Sequence, residues 1–277
     1  MGSRHLLLLL AAAAAAFHLW SAGVAPFTAL VQRPVHLALM AGIGLLSVRA
    51  VQADGPDEAP VRPPHARGPG PAYTVLSWLL LGLMAGAALH LVLGHETLVQ
   101  RTGSPTAWDL AWAAVTLIVV LELTRRTVGW GLVVICLGAI AYAFLGPRLP
   151  GLLAHRGYGP VRLLEQLYLS TEGIWGVPLG VSADFVYLFI LFGAVLDVAG
   201  GGALFIALAN RIAGRTRGGP AKTAAVASGL MGSLSGSAVA NTVTTGAFTI
   251  PLMKRAGFTP RWAGAVEAAS STGGQLM

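Results

Sequence analysis

The stretch Ala221–Pro251, AKTAAVASGLMGSLSGSAVANTVTTGAFTIP, decides how this chain folds. Its ends are apolar, but small and polar side chains crowd the part that would lie deepest in a membrane. They are Gly232, Ser233, Ser235, Gly236, Ser237, Asn241, Thr242, Thr244, Thr245 and Gly246. Hydroxyl and carboxamide groups are costly in hydrocarbon unless a partner binds them. The stretch therefore predicts either a helix-packing seam or a binding site.

Length separates two shapes for this stretch. About 31 residues in one helix would measure about 45 Å at about 1.5 Å per residue, against a hydrocarbon thickness of about 30 Å. Two half-passes fit better, from Lys222 to about Ser233 and from Ala238 to Pro251. Cations flank both ends, which places both ends on the cytoplasmic side. They are Arg215, Arg217 and Lys222 before the stretch and Lys254, Arg255 and Arg261 after it. The stretch is interpreted as a re-entrant hairpin.

Such a hairpin tip suits ion and carboxylate binding. Carbonyls that end the first half-helix, with Ser and Asn oxygens, can replace the water shell of a cation, and the start of the second half-helix attracts an anion. A packing interpretation stays open beside it. Gly232, Gly236 and Ala240 recur every four residues, which is the small-xxx-small pattern of close helix contact.

The composition excludes a water-soluble protein. Hydrophobic residues make up 55% of the 277 and charged residues 10%, with a mean hydropathy of +0.70. This predicts a polytopic membrane protein. The net charge of +7 lies in short segments between helices, which indicates topology and contact with membrane lipid and not nucleic-acid binding. Cys136 is the one cysteine, so neither a disulfide framework nor a metal–thiolate set is expected.

Six apolar segments are long enough to cross a membrane, and an N-terminus inside satisfies the distribution of cations between them. The first follows Arg4 and also has features of a cleaved signal peptide. The others are Val35–Val51, Tyr73–Leu93, Ala107–Leu123, Val128–Leu145 and Asp184–Ala199. ALFIALANRIAGRTRGG after the sixth is expected to form an arm helix at the cytoplasmic surface. Within 146–179, the spacing of Val161, Leu164, Leu167 and Tyr168 predicts an interfacial helix.

These segments suggest three parts. Residues 1–126 form a small four-helix membrane part, interrupted by a proline-rich linker at 52–72 that is not expected to fold. Residues 127–180 connect this part to a second helical domain, which begins at residue 181 and continues to 277. The predicted fold class is an all-α polytopic membrane protein.

A second polar stretch follows the hairpin. AGAVEAASSTGGQLM carries Ser270, Ser271, Thr272, Gly273 and Gly274 where its helix would be mid-membrane. A second polar, glycine-containing interruption of an apolar helix favours a binding site over simple helix packing. Other polar residues are interpreted as structural. Asp197 is expected to be a carboxylate at a helix end, with a proton relay as the less favoured role, and Glu122 is expected to form an ion pair with Arg125 and Arg126. The single histidines His18, His36 and His90 lack the spacing of metal ligands.

The segment GLMGSLSGSAVANTVTTGAFTIPLMKRAGF, followed by AGAVEAASSTGGQLM, closely resembles the large-subunit signature of tripartite ATP-independent periplasmic (TRAP) transporters. It is most similar to the fused permeases that work with TAXI-type binding proteins, in which a four-helix and a twelve-helix part share one chain. The likeness runs from about Val181 onward. Before Val181 it consists of the arrangement of four spans and a linker.

The resemblance implies an elevator-type secondary transporter of the bacterial inner membrane. A periplasmic binding protein would deliver an organic anion, usually a carboxylate such as a C4-dicarboxylate, and a gradient of Na⁺ or H⁺ would drive symport. No other cofactor, transition metal or catalytic residue is implied. By position, the cation and substrate site would include residues of the hairpin tip and of an unwound stretch at Thr272–Gly274. They are Ser233, Ser235, Gly236, Ser237, Asn241, Thr245, Thr272, Gly273 and Gly274.

Two other functions are weighed against transport. Family members continue beyond the position of Met277, so the chain is expected to be an N-terminal fragment, and a structural membrane subunit or an inactive fragment is the main alternative. An intramembrane serine hydrolase would need a base near Ser233, Ser235 or Ser237. No histidine follows His155, and a pair with Lys222 would leave the Asn and Thr residues unexplained.

Overall fold

The computed structural model describes residues 3–53, 71–101, 103–236 and 238–276. Every regular element within these ranges is a helix, which confirms the predicted all-α class. The chain divides into two compact units, Met1–Asp184 and Phe185–Met277. The proposed subdivision at residues 126 and 180 stays a prediction.

The described part of the first unit contains seven α-helices. They are α1 (Ser3–Gly23), α2 (Ala29–Ala53), α3 (Pro71–Gln100), α4 (Ala107–Thr127), α5 (Trp130–Leu145), α6 (Pro160–Tyr168) and α7 (Val177–Val181). Two 3-10 turns follow α5, at Gly146–Arg148 and Gly151–Leu153, and a π-helical segment, Ser182–Val186, follows α7.

The second unit contains five α-helices in its described part, and a 3-10 turn after the last. They are α8 (Tyr187–Val198), α9 (Gly201–Ala213), α10 (Gly219–Ser235), α11 (Ala238–Arg255), α12 (Pro260–Gly273) and the turn Gly274–Leu276. Helix α10 packs against α9, α11 and α12, and α11 packs against α12. Ala224, Met253 and Ala263, one from each of α10, α11 and α12, form the apolar core of this unit.

Six described segments are long and apolar enough to cross a membrane, and each overlaps a predicted span. They are His5–Gly23, Ala29–Ser47, Tyr73–Leu98, Ala107–Thr127, Trp130–Arg148 and Val177–Leu196. The sixth begins at Val177 and not at Asp184 as predicted. Pro178 lies in the first turn of α7, where a missing N–H is tolerated, and the π-helical segment continues the helix into α8. The chain is a multi-pass membrane protein.

The surface of these segments suits contact with lipid. On α5, Val134 and Ile135 are 61% and 68% exposed, although no charged side chain occurs within Trp130–Leu145. Large exposed apolar surfaces are unfavourable in water but not against hydrocarbon chains.

The predicted interfacial helix is confirmed as a helix, but its end is buried in the protein. Tyr168, the last residue of α6, is 0% exposed, and its hydroxyl donates to the carbonyl oxygen of Ala87 at 2.9 Å. Trp175 donates its indole N–H to the carbonyl oxygen of Tyr168 at 2.6 Å. This end of α6 is therefore buried against α3 and α4 and does not lie wholly along a membrane surface.

The predicted linker at 52–72 is shorter than expected within the described residues. Gln52 and Ala53 belong to α2, and Pro71 and Ala72 belong to α3. Proline is compatible with the first turn of a helix because its missing N–H would have no partner there. Residues 54–70 lie outside the described part of the chain.

Candidate functional site

The polar stretch of the second unit is a helical hairpin with a break at Gly236. Helix α10 ends at Ser235 and α11 begins at Ala238. Gly236 has a φ of 58° in the left-handed region, and its N–H donates to the carbonyl oxygen of Gly232 at 2.8 Å. A residue with a side chain would be strained in this conformation, so glycine ends the helix here. The predicted bend is confirmed, and a continuous rod through Ser235 is excluded.

The two arms of the hairpin extend beyond the predicted bounds. The first begins at Gly219 and not at Lys222, because Gly218 is left-handed and Pro220 lies in the first turn. The second continues past Pro251 to Arg255. Lys254 and Arg255 lie in its last turn, where cations interact favourably with the helix dipole.

Asn241 joins the two arms. Its side chain is 0% exposed, and Nδ2 donates to the carbonyl oxygen of Ser228 on α10 at 2.8 Å. Its Oδ1 has no hydrogen-bond partner among the described residues. A buried carboxamide oxygen without a donor is unfavourable, and it is also available to a ligand.

The α-carbons of two glycines close the space beside Asn241. A Cβ added to Gly232 on α10 would overlap the backbone of Gly274, which follows α12. A Cβ added to Gly274 would lie 2.5 Å from Nδ2 of Asn241 and 3.1 Å from the carbonyl oxygen of Ser228. Three helices can therefore meet here because both positions lack side chains. This accounts for Gly232 in the small-xxx-small pattern, whereas Gly236 lies beyond the end of that helix and faces open space.

A buried carboxylate lies at the centre of the same three helices. Glu267 on α12 is 0% exposed. Its Oε1 is in contact with the hydroxyl groups of Thr245, Ser271 at 3.0 Å and Ser228 at 3.4 Å. Its Oε2 accepts a hydrogen bond from the Thr249 hydroxyl. Gly246 makes room for the side chain, because a Cβ there would lie 3.2 Å from Cγ of Glu267.

The structure brings together some of the predicted site residues and separates others. Asn241, Thr245 and Gly274 are buried together between α10, α11 and α12. Ser233 is exposed and donates to the carbonyl oxygen of Leu230 at 2.7 Å. Thr272 is exposed as well and donates to the carbonyl oxygen of Ala268 at 2.8 Å. The side chain of Ser235 and the whole of Ser237 lie outside the described part of the chain.

The predicted unwound stretch at Thr272–Gly274 is wrong for its first two residues. Thr272 and Gly273 belong to α12, and the helix tightens into a 3-10 turn only at Gly274. The Thr272 hydroxyl donates to the carbonyl oxygen of Ala268 one turn earlier, so it has a partner without unwinding of the helix. The contact of Gly274 with Gly232 accounts for the position of the change.

Sequence reasoning missed Glu267, although a signal for it was present. Glu267 and Ser271 are four residues apart, as are Thr245 and Thr249, so each pair shares one helix face. A lone carboxylate within AGAVEAASS on a membrane helix is a functional candidate by itself. The predicted site was based on the hydroxyls and glycines of this segment and did not include Glu267.

The first unit contains a second buried polar cluster that sequence reasoning missed. His18 Nε2 lies 2.8 Å from Nδ1 of His36, whose Nε2 lies 3.0 Å from Oγ of Ser182. Gln32 accepts from Ser21 at 2.6 Å and donates to Asp184 at 2.5 Å. The histidines are far apart along the chain, and only the packing of α1 on α2 pairs them. This cluster holds elements of the first unit to one another.

Two further polar groups of the first unit are also paired. His90 Nε2 lies 3.1 Å from Oδ1 of Asp109. The predicted ion pair of Glu122 is confirmed, since Arg125 and Arg126 each place Nε 2.7 Å from one of its carboxylate oxygens. The side chain of Asp197 lies outside the described part of the chain.

Comparison with known proteins identifies relatives of this chain. Residues 115–277, more than half of the chain, match the family described as "Tripartite ATP-independent periplasmic transporter, DctM component". The uncharacterized protein y4mL of Sinorhizobium fredii is 34% identical over 116 residues, which are 42% of this chain and 26% of that protein. The uncharacterized protein YgiK of Salmonella typhimurium is 32% identical over 89 residues, which are 32% of this chain and 20% of that protein. The matched part thus spans about a quarter or less of each relative. No solved structure matches the chain.

Proposed function

Because this chain belongs to the DctM component family of tripartite ATP-independent periplasmic transporters, we propose that it is a permease component that takes up an organic anion together with a cation. The substrate is a carboxylate, with C4-dicarboxylates as the first class to test, and a periplasmic binding protein delivers it. The permease lies in the bacterial inner membrane with its N-terminus in the cytoplasm.

The interrupted hairpin α10–α11 is the observation that carries this proposal. Transporters use broken helices because their free backbone groups and polar side chains can hold ions and charged solutes at membrane depth. The break at Gly236 lies between α10 and α11, and buried polar groups of both arms meet near it at Asn241, Ser228 and Thr245. We assign the cation and substrate site to this region.

The buried and exposed residues of the region take different parts in this proposal. The Oδ1 of Asn241, which has no hydrogen-bond partner among the described residues, is available to a cation or to a substrate donor. Ser233, Thr272 and Gly273 are exposed, so these three are assigned to the substrate side together with Ser235, Gly236 and Ser237. Thr245 and Gly274 support Asn241 from within the helix packing.

The charges at the ends of the hairpin support a re-entrant orientation. Lys222 lies in the first turns of α10, and Lys254 and Arg255 end α11. Cations at both ends favour the cytoplasmic side for both. The hairpin would then enter and leave on one side, with Gly236 at its deepest point. Sodium or a proton can serve as the coupling ion in this arrangement.

A structural membrane subunit is the second candidate, and the contact of Gly232 with Gly274 favours it. Small residues that let helices approach closely also serve assembly without transport. The two functions differ in what Asn241 does. A scaffold needs its hydrogen bond to Ser228, whereas a transporter also needs its free oxygen.

Uptake separates the two candidates. Cells that express the transporter containing this chain, with its binding protein, are given labelled succinate, malate and fumarate. We expect uptake of at least one of them, and its loss in Asn241→Ala while the protein still inserts in the membrane. Asn210→Ala is the matched control, because Asn210 is an exposed residue of α9. Uptake by Asn241→Ala at the rate of the unmodified protein would remove the hairpin from the mechanism.

A further inference from the structure

We infer that Glu267 is the group that binds and releases a coupling proton, an assignment that rests on the proposed transport function. Among the described residues of the second unit, Glu267 is a carboxylate with zero exposure inside the packing of three helices. A buried acid in a membrane protein is costly unless it is paired, solvated by donors or protonated. The groups around Glu267 show which of these three stabilise it: a cation, hydrogen-bond donors or a proton.

No cation pairs with Glu267 in the described part of the chain. The ionisable side chains of the helices packed against it are Lys222 on α10, Lys254 and Arg255 on α11, and Arg261 on its own helix. They lie near helix ends, five or six residues along the sequence from the nearest residue that contributes to the contacts of the carboxylate, and none of them forms a described ion pair with it. The carboxylate is therefore surrounded by neutral groups.

Hydroxyl groups, and not a cation, are the groups in contact with the carboxylate of Glu267 among the described residues. Ser228 from α10, Thr245 and Thr249 from α11, and Ser271 from α12 all reach the two carboxylate oxygens. Each hydroxyl can donate one proton, so four donors can point at an ionised Glu267. Hydrogen bonds from hydroxyls to a carboxylate are strong enough to stabilise it away from water.

The same hydroxyls have other acceptors when Glu267 is neutral. Thr245 Oγ1 lies 2.7 Å from the carbonyl oxygen of Asn241, and Thr249 Oγ1 lies 2.9 Å from that of Thr245. A hydroxyl that donates to its carbonyl can still accept, so a protonated Glu267 can donate to Thr249. Rotation of hydroxyl hydrogens alone then satisfies both charge states. A group that changes its charge in every transport cycle needs this property.

The oxygens around Glu267 form one connected hydrogen-bonded cluster. The oxygens of Ser228 and Thr245 lie 3.3 Å apart, and those of Ser271 and Ser228 lie within 3.4 Å of Oε1. These are separations that hydrogen bonds span.

Protonation of Glu267 would change how the hairpin is held. An ionised carboxylate draws donors from α10, α11 and α12 at once, whereas the neutral acid keeps its own hydrogen bond to Thr249 and lets Thr245 and Thr249 donate to carbonyls of their own helix. A proton from the periplasmic side that binds the carboxylate therefore weakens ties between the hairpin and α12. The proton leaves to the cytoplasmic side when the carboxylate is ionised again.

The test compares accumulation with exchange in proteoliposomes that contain the transporter with this chain and its binding protein. The probe is whichever of labelled succinate, malate and fumarate the unmodified protein takes up. An inward gradient of about one pH unit can concentrate a solute about tenfold per proton. We expect the unmodified protein to accumulate the probe and Glu267→Gln, which cannot change charge, to exchange internal for external probe without accumulating it. Glu172→Gln, on an exposed glutamate, should behave as the unmodified protein.

Three results would overturn the assignment. Glu267→Gln could accumulate the probe under the pH gradient, it could lose exchange together with accumulation, or the unmodified protein could accumulate the probe under a sodium gradient and not under a pH gradient. In the first and third cases the transport function would stand. Absence of uptake by the unmodified protein under either gradient would instead count against the proposed function itself.

An infrared measurement tests the same assignment on the purified chain. A protonated carboxylic acid has a C=O stretching band that the ionised form lacks. We expect a pH-dependent band of a buried acid that is present in the unmodified chain and in Glu172→Gln and absent from Glu267→Gln. An identical band in Glu267→Gln would show that another acid titrates.

Discussion

Asn241 on α11 bridges its hairpin by donating a hydrogen bond of 2.8 Å from Nδ2 to the carbonyl oxygen of Ser228 on α10. The same Ser228 points its hydroxyl toward Glu267 on α12. One residue thus takes part both in holding the hairpin arms together and in solvating the buried acid. The packing of the three helices and the chemistry of the site therefore depend on the same residue.

The contact between Gly232 and Gly274 predicts a penalty for the smallest added side chain. In Gly232→Ala, the new methyl group would overlap the backbone of Gly274, so the helices must move apart. We expect the free energy of unfolding to fall by about 1–3 kcal/mol, seen as a lower Tm in detergent. Gly264→Ala is the matched control, because open space surrounds a Cβ there, and it should stabilise α12 by about 0.5–1 kcal/mol. Equal Tm values for both variants would contradict the close contact.

The left-handed backbone of Gly236 predicts a different kind of penalty. Alanine at this position meets no neighbouring atom, but it must adopt a φ near 58°. The strain costs about 1–2 kcal/mol, and asparagine, which tolerates this region, should cost less. We expect Tm to rank in the order glycine, asparagine, alanine. If alanine equals glycine, the helix does not end at this residue.

Because the Thr249 hydroxyl donates to Glu267, we expect an isosteric substitution of Thr249 to lower the stability of the protein. Thr249→Val keeps the shape of the side chain and removes the donor to Oε2. Leaving a buried carboxylate oxygen without this donor should lower the free energy of unfolding by about 1–3 kcal/mol. Thr97→Val is the control, because Thr97 is exposed and donates only to the carbonyl oxygen of Gly94 in the described contacts. An unchanged Tm in Thr249→Val would mean that Glu267 does not depend on this hydroxyl.

We expect the stability of the first unit to depend on the buried polar cluster that contains Gln32. Gln32→Leu leaves Ser21 without an acceptor and Asp184 without a donor, in a part of the unit where Gln32 is 8% exposed. We expect a loss of about 1–3 kcal/mol in the free energy of unfolding, read from thermal unfolding in detergent. Gln166→Leu, on the exposed side of α6, should change Tm little. Equal behaviour of the two variants would argue that the cluster contributes no stability.

The amino-acid sequence was sufficient to predict the all-α membrane class, the six membrane segments and the break in the polar hairpin. These follow from local properties: an apolar run of sufficient length has to cross the bilayer, and a stretch longer than one crossing with glycine and serine at its centre has to bend. The left-handed Gly236 lies inside the predicted tip for this reason. The likeness to TRAP transporters was also readable from the residues, and the family match confirms it.

The contacts between polar residues of different helices could not be predicted from the sequence and follow from how the helices pack. Glu267 joins Ser228 and Thr249 because α12 packs against both arms of the hairpin, and His18 joins His36 because α1 packs on α2. Helical periodicity shows which face a residue occupies, but not which other helix covers that face. The predicted break at Thr272 failed for a related reason: hydroxyls that suggest an unwound site in sequence are satisfied by their own helix, whereas Gly274 changes the helix through its contact with Gly232.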